Sequence, residues 1–76
     1  MGYVEYEGKK FDARHGGPFD RGAADSYYGR PVKPHFFTGG TNDSILVPKY
    51  GMSKEAIADY YAGYDWNEEM GYKKEW

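Results

Sequence analysis

Along residues 3–11, YVEYEGKKF, large apolar side chains alternate with charged ones, and Glu7-Gly8 falls at the centre. A period of two around a turn-forming pair predicts a β-hairpin. Tyr3, Val4, Tyr6 and Phe11 do not all share one face under strict alternation. An isolated hairpin is also marginal in water, so another element is expected to cover this one. The apolar period then lengthens. Gly16-Gly17 is followed by Pro18, the run FDRGAADSYY and Gly29. Proline at the start and glycine past the end place a helix over residues 18–28. Phe19, Ala23 and Tyr27 recur every fourth residue, Ala24 and Tyr28 widen that stripe, and Asp20, Arg21 and Asp25 are expected off it. Gly22 weakens such a helix by up to about 1 kcal/mol relative to alanine, which points to close approach by a neighbouring backbone.

The next segment, RPVKPHFFTGGTND, contains prolines that disfavour helix at Arg30 and Lys33, then a Gly39-Gly40 break. It reads as an extended arm ending in a loop. Residues 44–47, SILV, are apolar but short, and Pro48 restricts them to an edge strand or a buried connector. The strongest pattern comes last. Ser53 is a good N-cap, Glu55 sits in the first turn, and Met52 with Ile57 can form a hydrophobic staple, predicting a helix over 53–70. Ile57, Tyr61, Tyr64 and Glu68 trace one stripe, with Tyr60, Gly63 and Asn67 beside it. Gly71 is the expected C-cap, with Lys73-Lys74 near the last carbonyls. The two stripes are expected to meet, Ile57, Tyr61 and Tyr64 against Phe19, Ala23 and Tyr27, while Trp76 either docks on the core or anchors elsewhere. The fold class is thus α+β: residues 1–76 as one small domain, its N-terminal hairpin packed on two short helices joined by a Pro/Gly-rich arm.

Composition sharpens this picture. A chain of 76 residues buries only about 60% of the surface its unfolded form exposes, so the core is marginal. The absence of Cys removes a disulfide framework and a thiolate metal site, leaving aromatic packing, oligomerisation or a bound partner as staples. Nine Tyr against a single Leu, Leu46, suggest a thin core and an adhesive surface. The lack of Cys fits a cytoplasmic protein, and no apolar run is long enough for a membrane span or a secretory signal. The formal charge of −2 is unevenly spread. Residues 9–50 carry seven Lys or Arg against four acids, residues 51–76 three against six. The basic half suits an anionic partner or attraction between the halves.

Candidate chemistry is sparse. His15 and His35 do not close a zinc site, even with Asp12 and Asp20 nearby. Asp20, Arg21, Asp25 and Arg30 form an ion-pair cluster or an anion site; if Arg30 points away from Asp25, it is the first candidate for a phosphate contact. Ser26, Ser44 and Ser53 lie outside any nucleophile elbow, Glu68-Glu69 diverge by about 100° on a helix, and the Gly pairs match no phosphate-binding loop. The chain is therefore expected to be no enzyme and to need no cofactor or metal. The densest interaction chemistry is Arg21 together with the arm residues Tyr28, Arg30, Lys33, His35, Phe36 and Phe37. Aromatics and Arg anchor interfaces, and aromatics beside cations also suit stacked bases and phosphates. At least one of Tyr28, Phe36 and Phe37 is expected to stay exposed beside Arg30.

The strings GGPFDRGAADSYYGR and PHFF, with the closing AIADYYAGYDWNEEMGYKKEW, resemble a family of short tailed-phage proteins without an established activity; the likeness covers residues 12–76. It implies a small accessory protein, acting in the cytoplasm of an infected bacterium, that binds a host or viral macromolecule. A weaker resemblance, carried by Tyr28-Gly29-Arg30, Pro34-His35 and Tyr61-Ala62-Gly63-Tyr64, is to ribosome modulation factor, from which the chain departs in its net acidity, in His35 after the proline and in its N-terminal hairpin. That likeness implies a two-helix core and an RNA or ribosome partner. A protein partner is the leading expectation, RNA or the ribosome the alternative, with self-association possible and no membrane.

Overall fold

Two successive left-handed residues, Glu7 (φ 51°) and Gly8 (φ 77°), close the first hairpin. This turn matches the twist of the strands it joins, here β1 (Tyr3–Tyr6) and β2 (Lys9–Asp12), paired in the register Tyr3 to Asp12 and Tyr6 to Lys9. The computed structural model describes residues 2–38 and 44–75. After β2 come α1 (Pro18–Tyr27), β3 (His35–Thr38), β4 (Ile45–Pro48), a single 3-10 turn (Lys49–Gly51) and α2 (Lys54–Met70). The fold is a small α+β domain with two separate antiparallel strand pairs and two helices. The Gly39-Gly40 break and Trp76 lie outside the described residues.

The helix ends follow local chemistry. The Asp20 carboxylate accepts the Gly16 N–H at 2.9 Å, so an acid in the first turn of α1 reaches back over its start. Ser53 caps α2 by accepting the Ala56 N–H at 3.1 Å, and Gly71 ends it in the left-handed region (φ 74°). Lys73 and Lys74 serve the other helix: Lys73 Nζ donates to Ser26 O (3.1 Å) and Lys74 N–H to Tyr27 O (2.7 Å). The tail thus gives Tyr27 O a donor and adds a second one to Ser26 O, which also accepts the Gly29 N–H at 3.0 Å.

Contact between α1 and α2 is set by glycine. A Cβ on Gly22 would lie 2.0 Å from Tyr60 O, and one on Gly63 2.0 Å from Phe19 O, so backbone rests on backbone. This close approach, foreshadowed by Gly22, rotates both helices away from the expected stripes. Phe19, Gly22, Asp25 and Ser26 are the buried face of α1, and Tyr60, Gly63 and Asn67 that of α2. Tyr27 and Tyr61 are exposed instead, and Asp25, expected at the surface, is 3% exposed. The reason is steric: only the glycine faces allow the axes so close, and they carry their helical neighbours inward. Phe11 stacks on Phe19 with centroids 5.1 Å apart, and Phe19 meets Trp66 at 5.6 Å, fastening the first hairpin to the helices.

The arm differs from expectation as well. Its second half is not merely extended but a paired strand, β3, joined to β4 in the register His35 to Pro48 and Thr38 to Ile45. The Phe37 N–H turns away from β4 to Gly16 O at 2.7 Å. Phe36 and Thr38 therefore make the ladder bonds, and Pro48, opposite His35, falls where its missing N–H is not needed. Residues 45–48 thus take the edge-strand alternative, exposed rather than a buried connector.

Candidate partner-binding surface

Buried Asp25 organises this region. Its carboxylate accepts from the Tyr60 hydroxyl, receives Arg30 Nη1 at 3.2 Å, and lies 3.9 Å from Arg21 Nη2 and 3.8 Å from His35 Nδ1. Arg21 Nε donates to His35 Nε2 at 3.1 Å, which leaves the proton on Nδ1, 2.7 Å from Lys33 O. The His35 ring lies against Phe37 and Tyr60, with centroids 5.8 and 5.7 Å away. Burial first, and then the Asp25 hydrogen bond, push the Tyr60 hydroxyl pKa well above its ordinary value, so this hydroxyl stays a donor.

The same groups pin the arm. Tyr60 Oη accepts the Lys33 N–H at 3.0 Å, the Tyr64 hydroxyl donates to Arg30 O at 2.7 Å, and the Arg30 N–H reaches Asp25 O at 2.8 Å. With Pro31 and Pro34 limiting the backbone, the arm is held at both ends. Its side chains are less enclosed. Tyr28 is 39% exposed with the Arg30 guanidinium 4.7 Å from its ring centre, and Phe37 is 36% exposed with Arg21 at 5.2 Å. Phe36, on the opposite face of β3, is half-buried beside a cleft of about 480 Å³ that Asp12, Arg14, His15 and Asp59 also line. Partial burial raises the Asp59 pKa, Glu55 and Asp12 add to the rise, and Lys9 opposes it.

Of the expected site residues, Tyr28, Arg30, Lys33 and Phe37 are at the surface, and Arg21, His35 and Phe36 are half-buried. Arg21 and His35 act from behind, through Asp25. Arg30 turns toward Asp25, so the condition that would have made it a leading phosphate contact is not met. His15 is exposed, 3.8 Å from the Asp20 carboxylate. Sequence reasoning missed the exposed Val32, Leu46 and Tyr50, the last 95% accessible. No local pattern marked them: Leu46 sits in a short apolar run two residues before Pro48, and Tyr50 stands between Lys49 and Gly51.

Among the described residues, no group of three or more His, Cys, Asp or Glu is placed to hold a metal ion, and no helix is long and apolar enough to cross a membrane. No protein-family model matches the chain, and neither a curated protein nor a solved structure does.

Proposed function

We propose that this chain is a small non-enzymatic accessory protein that grips a host or viral macromolecule, most readily a protein, through the surface around Tyr28, Arg30 and Phe37. The observation that carries the reading is an arm fixed by hydrogen bonds to the Tyr60 and Tyr64 hydroxyls while the Tyr28 and Phe37 rings are left open to solvent. A preorganised surface loses little entropy on binding, and Tyr, Phe and Arg are the side chains that best use such an advantage. The tailed-phage origin and cytoplasmic site of action rest on the resemblance of residues 12–76. RNA or ribosome binding is disfavoured because Arg21 and Arg30 are both committed to Asp25, leaving Lys33 as the arm's cation without an ion pair among the described residues.

Capture from a bacterial lysate tests this. The immobilised chain should retain its partner after nuclease treatment, and a Tyr28→Ser/Phe37→Ser variant with an unchanged circular dichroism spectrum should lose it. Capture abolished by nuclease, or unaffected by the double substitution, would contradict the proposal.

A further inference from the structure

A second feature lies beside the arm: a groove of about 470 Å³ whose apolar lining is Val32, Pro34, Leu46, Pro48 and Tyr50. Lys33, His35 and Lys49 also line it, and among the described residues no carboxylate does. Among the described residues these two ammonium groups have neither ion-pair nor ring partners. Lys54 and Lys74 share that state outside the groove, whereas Arg14, Arg21, Arg30 and Lys73 are ion-paired and Lys9 and Lys10 sit over rings. Leu46 and Tyr50 are open to solvent on a frame already set by the Lys33–Tyr60 hydrogen bond and the β3–β4 register.

We infer that this groove takes an acidic, apolar peptide segment of a protein partner, with aliphatic or aromatic side chains against Val32, Leu46 and Tyr50 and carboxylates at Lys33 and Lys49. The inference rests on the binding-module reading above and names the chemistry of the partner. Charge complementarity decides the occupant. Unpaired positive charge beside an apolar floor, with no acid among the described residues that line it, favours carboxylates from outside. A nucleic acid is the poorer fit, because two lysines without an arginine give few phosphate contacts, and among the described residues lining the groove Tyr50 is the one exposed ring on which a base could stack. Docking proceeds by side chains rather than by strand addition: on the outer edge of β4, Pro48 has no N–H to offer.

The test uses the full chain, its amide signals followed by NMR. The probes are short synthetic peptides alternating Leu or Phe with Glu, the same peptides with Lys for each Glu, and an oligouridylate. The acidic peptides should shift the amides of Val32, Lys33, Leu46, Lys49 and Tyr50. A Lys33→Glu/Lys49→Glu variant should weaken their binding at least about tenfold and bind the Lys peptides instead. Absent shifts, equal binding of the Lys peptides by the unaltered chain, stronger shifts with oligouridylate, or the same shifts on merely concentrating the protein would each overturn the groove assignment. Shifts confined to Tyr28, Arg30 and Phe37 would also overturn it, while leaving the proposed function standing.

Discussion

The seam between α1 and α2 and the surface built from the arm and β4 invert the usual distribution of residues. Inside, the chain places two glycines in backbone contact and surrounds them with Asp25, Ser26, Tyr60 and Asn67. Outside, it leaves Val32, Ile45, Leu46 and Tyr50 exposed. The seam tolerates polar groups because each finds a partner. Ser26 Oγ donates to Glu68 at 2.5 Å and accepts Asn67 Nδ2 at 2.9 Å, and no buried side-chain nitrogen or oxygen among the described residues lacks a hydrogen bond. In so small a domain, aliphatic content does not mark the core: cohesion comes from close helices, satisfied polar groups and the buried rings of Phe11, Phe19 and Tyr60, and the aliphatic surface is free for another use.

The most damaging way to break this contrast is to separate the helices. Gly63→Ala or Gly22→Ala places a methyl 2.0 Å from a carbonyl oxygen that is itself backbone. Each should cost about 3 kcal/mol or more, at the upper end of overpacking penalties. A chain of this size has only about 4–11 kcal/mol to lose, so urea unfolding should show a large fall. An unchanged midpoint would mean that the helices are not in backbone contact.

Removing the hub should cost somewhat less. Asp25→Ala leaves the Tyr60 hydroxyl and Arg30 Nη1 without their acceptor and Arg21 without its counter-ion; we expect about 2–3 kcal/mol, below the usual figure for a broken buried pair because Arg30 is half exposed. Tyr60→Phe removes one hydroxyl from between Asp25 and Lys33 and should cost about 1–2 kcal/mol. Its signature is faster hydrogen exchange at the Lys33 amide. Tyr61→Ala, on a ring 39% exposed, should cost less than Tyr60→Ala, the reverse of what the stripe of Ile57, Tyr61 and Tyr64 implies.

That reversal shows what was legible in the sequence. The first hairpin and both helices, with Ser53 and Gly71 as caps, follow from local chemistry, since turns and caps are decided within a few residues. Which helix faces meet was not legible. Apolar periodicity pointed to tyrosines, whereas the packing is decided by Gly22 and Gly63, whose missing side chains matter only against a second backbone. β3 was hidden for a related reason, because pairing His35–Thr38 with Ile45–Pro48 is a contact between residues about ten apart in sequence. The arm's role in the candidate site was readable from its Arg and aromatics. Leu46 and Tyr50 were not, because the exposure of Leu46 depends on the register of β4 and that of Tyr50 on the turn that follows it.

Surface contacts should give smaller effects, recognisable by their pH dependence. Hydrogen bonds from Lys73 and then Ser26 hold the Glu68 carboxyl below its ordinary pKa. A depressed folded-state value makes its contribution present above the unfolded value and lost as pH falls through the folded one. Exchange protection at Lys74 should therefore decline in acid, and Glu68→Gln should flatten that limb. At the other extreme, the hydrogen bond to Glu69 pushes the Tyr6 hydroxyl up from 10.0 to about 12. This contribution is intact below pH 10 and lost between there and about 12, so Tyr6→Phe should remove that loss from an alkaline stability profile.

The smallest expected change is also the most direct test. If the seam holds the fold and the aliphatic surface does not, the triple variant Val32→Ser/Leu46→Ser/Tyr50→Ser should unfold in urea with an unchanged slope. Its stability should lie within about 1 kcal/mol of the unaltered chain, as for surface substitutions generally. A loss as large as that of Gly63→Ala would place those residues in the core and contradict the division of labour between the two regions.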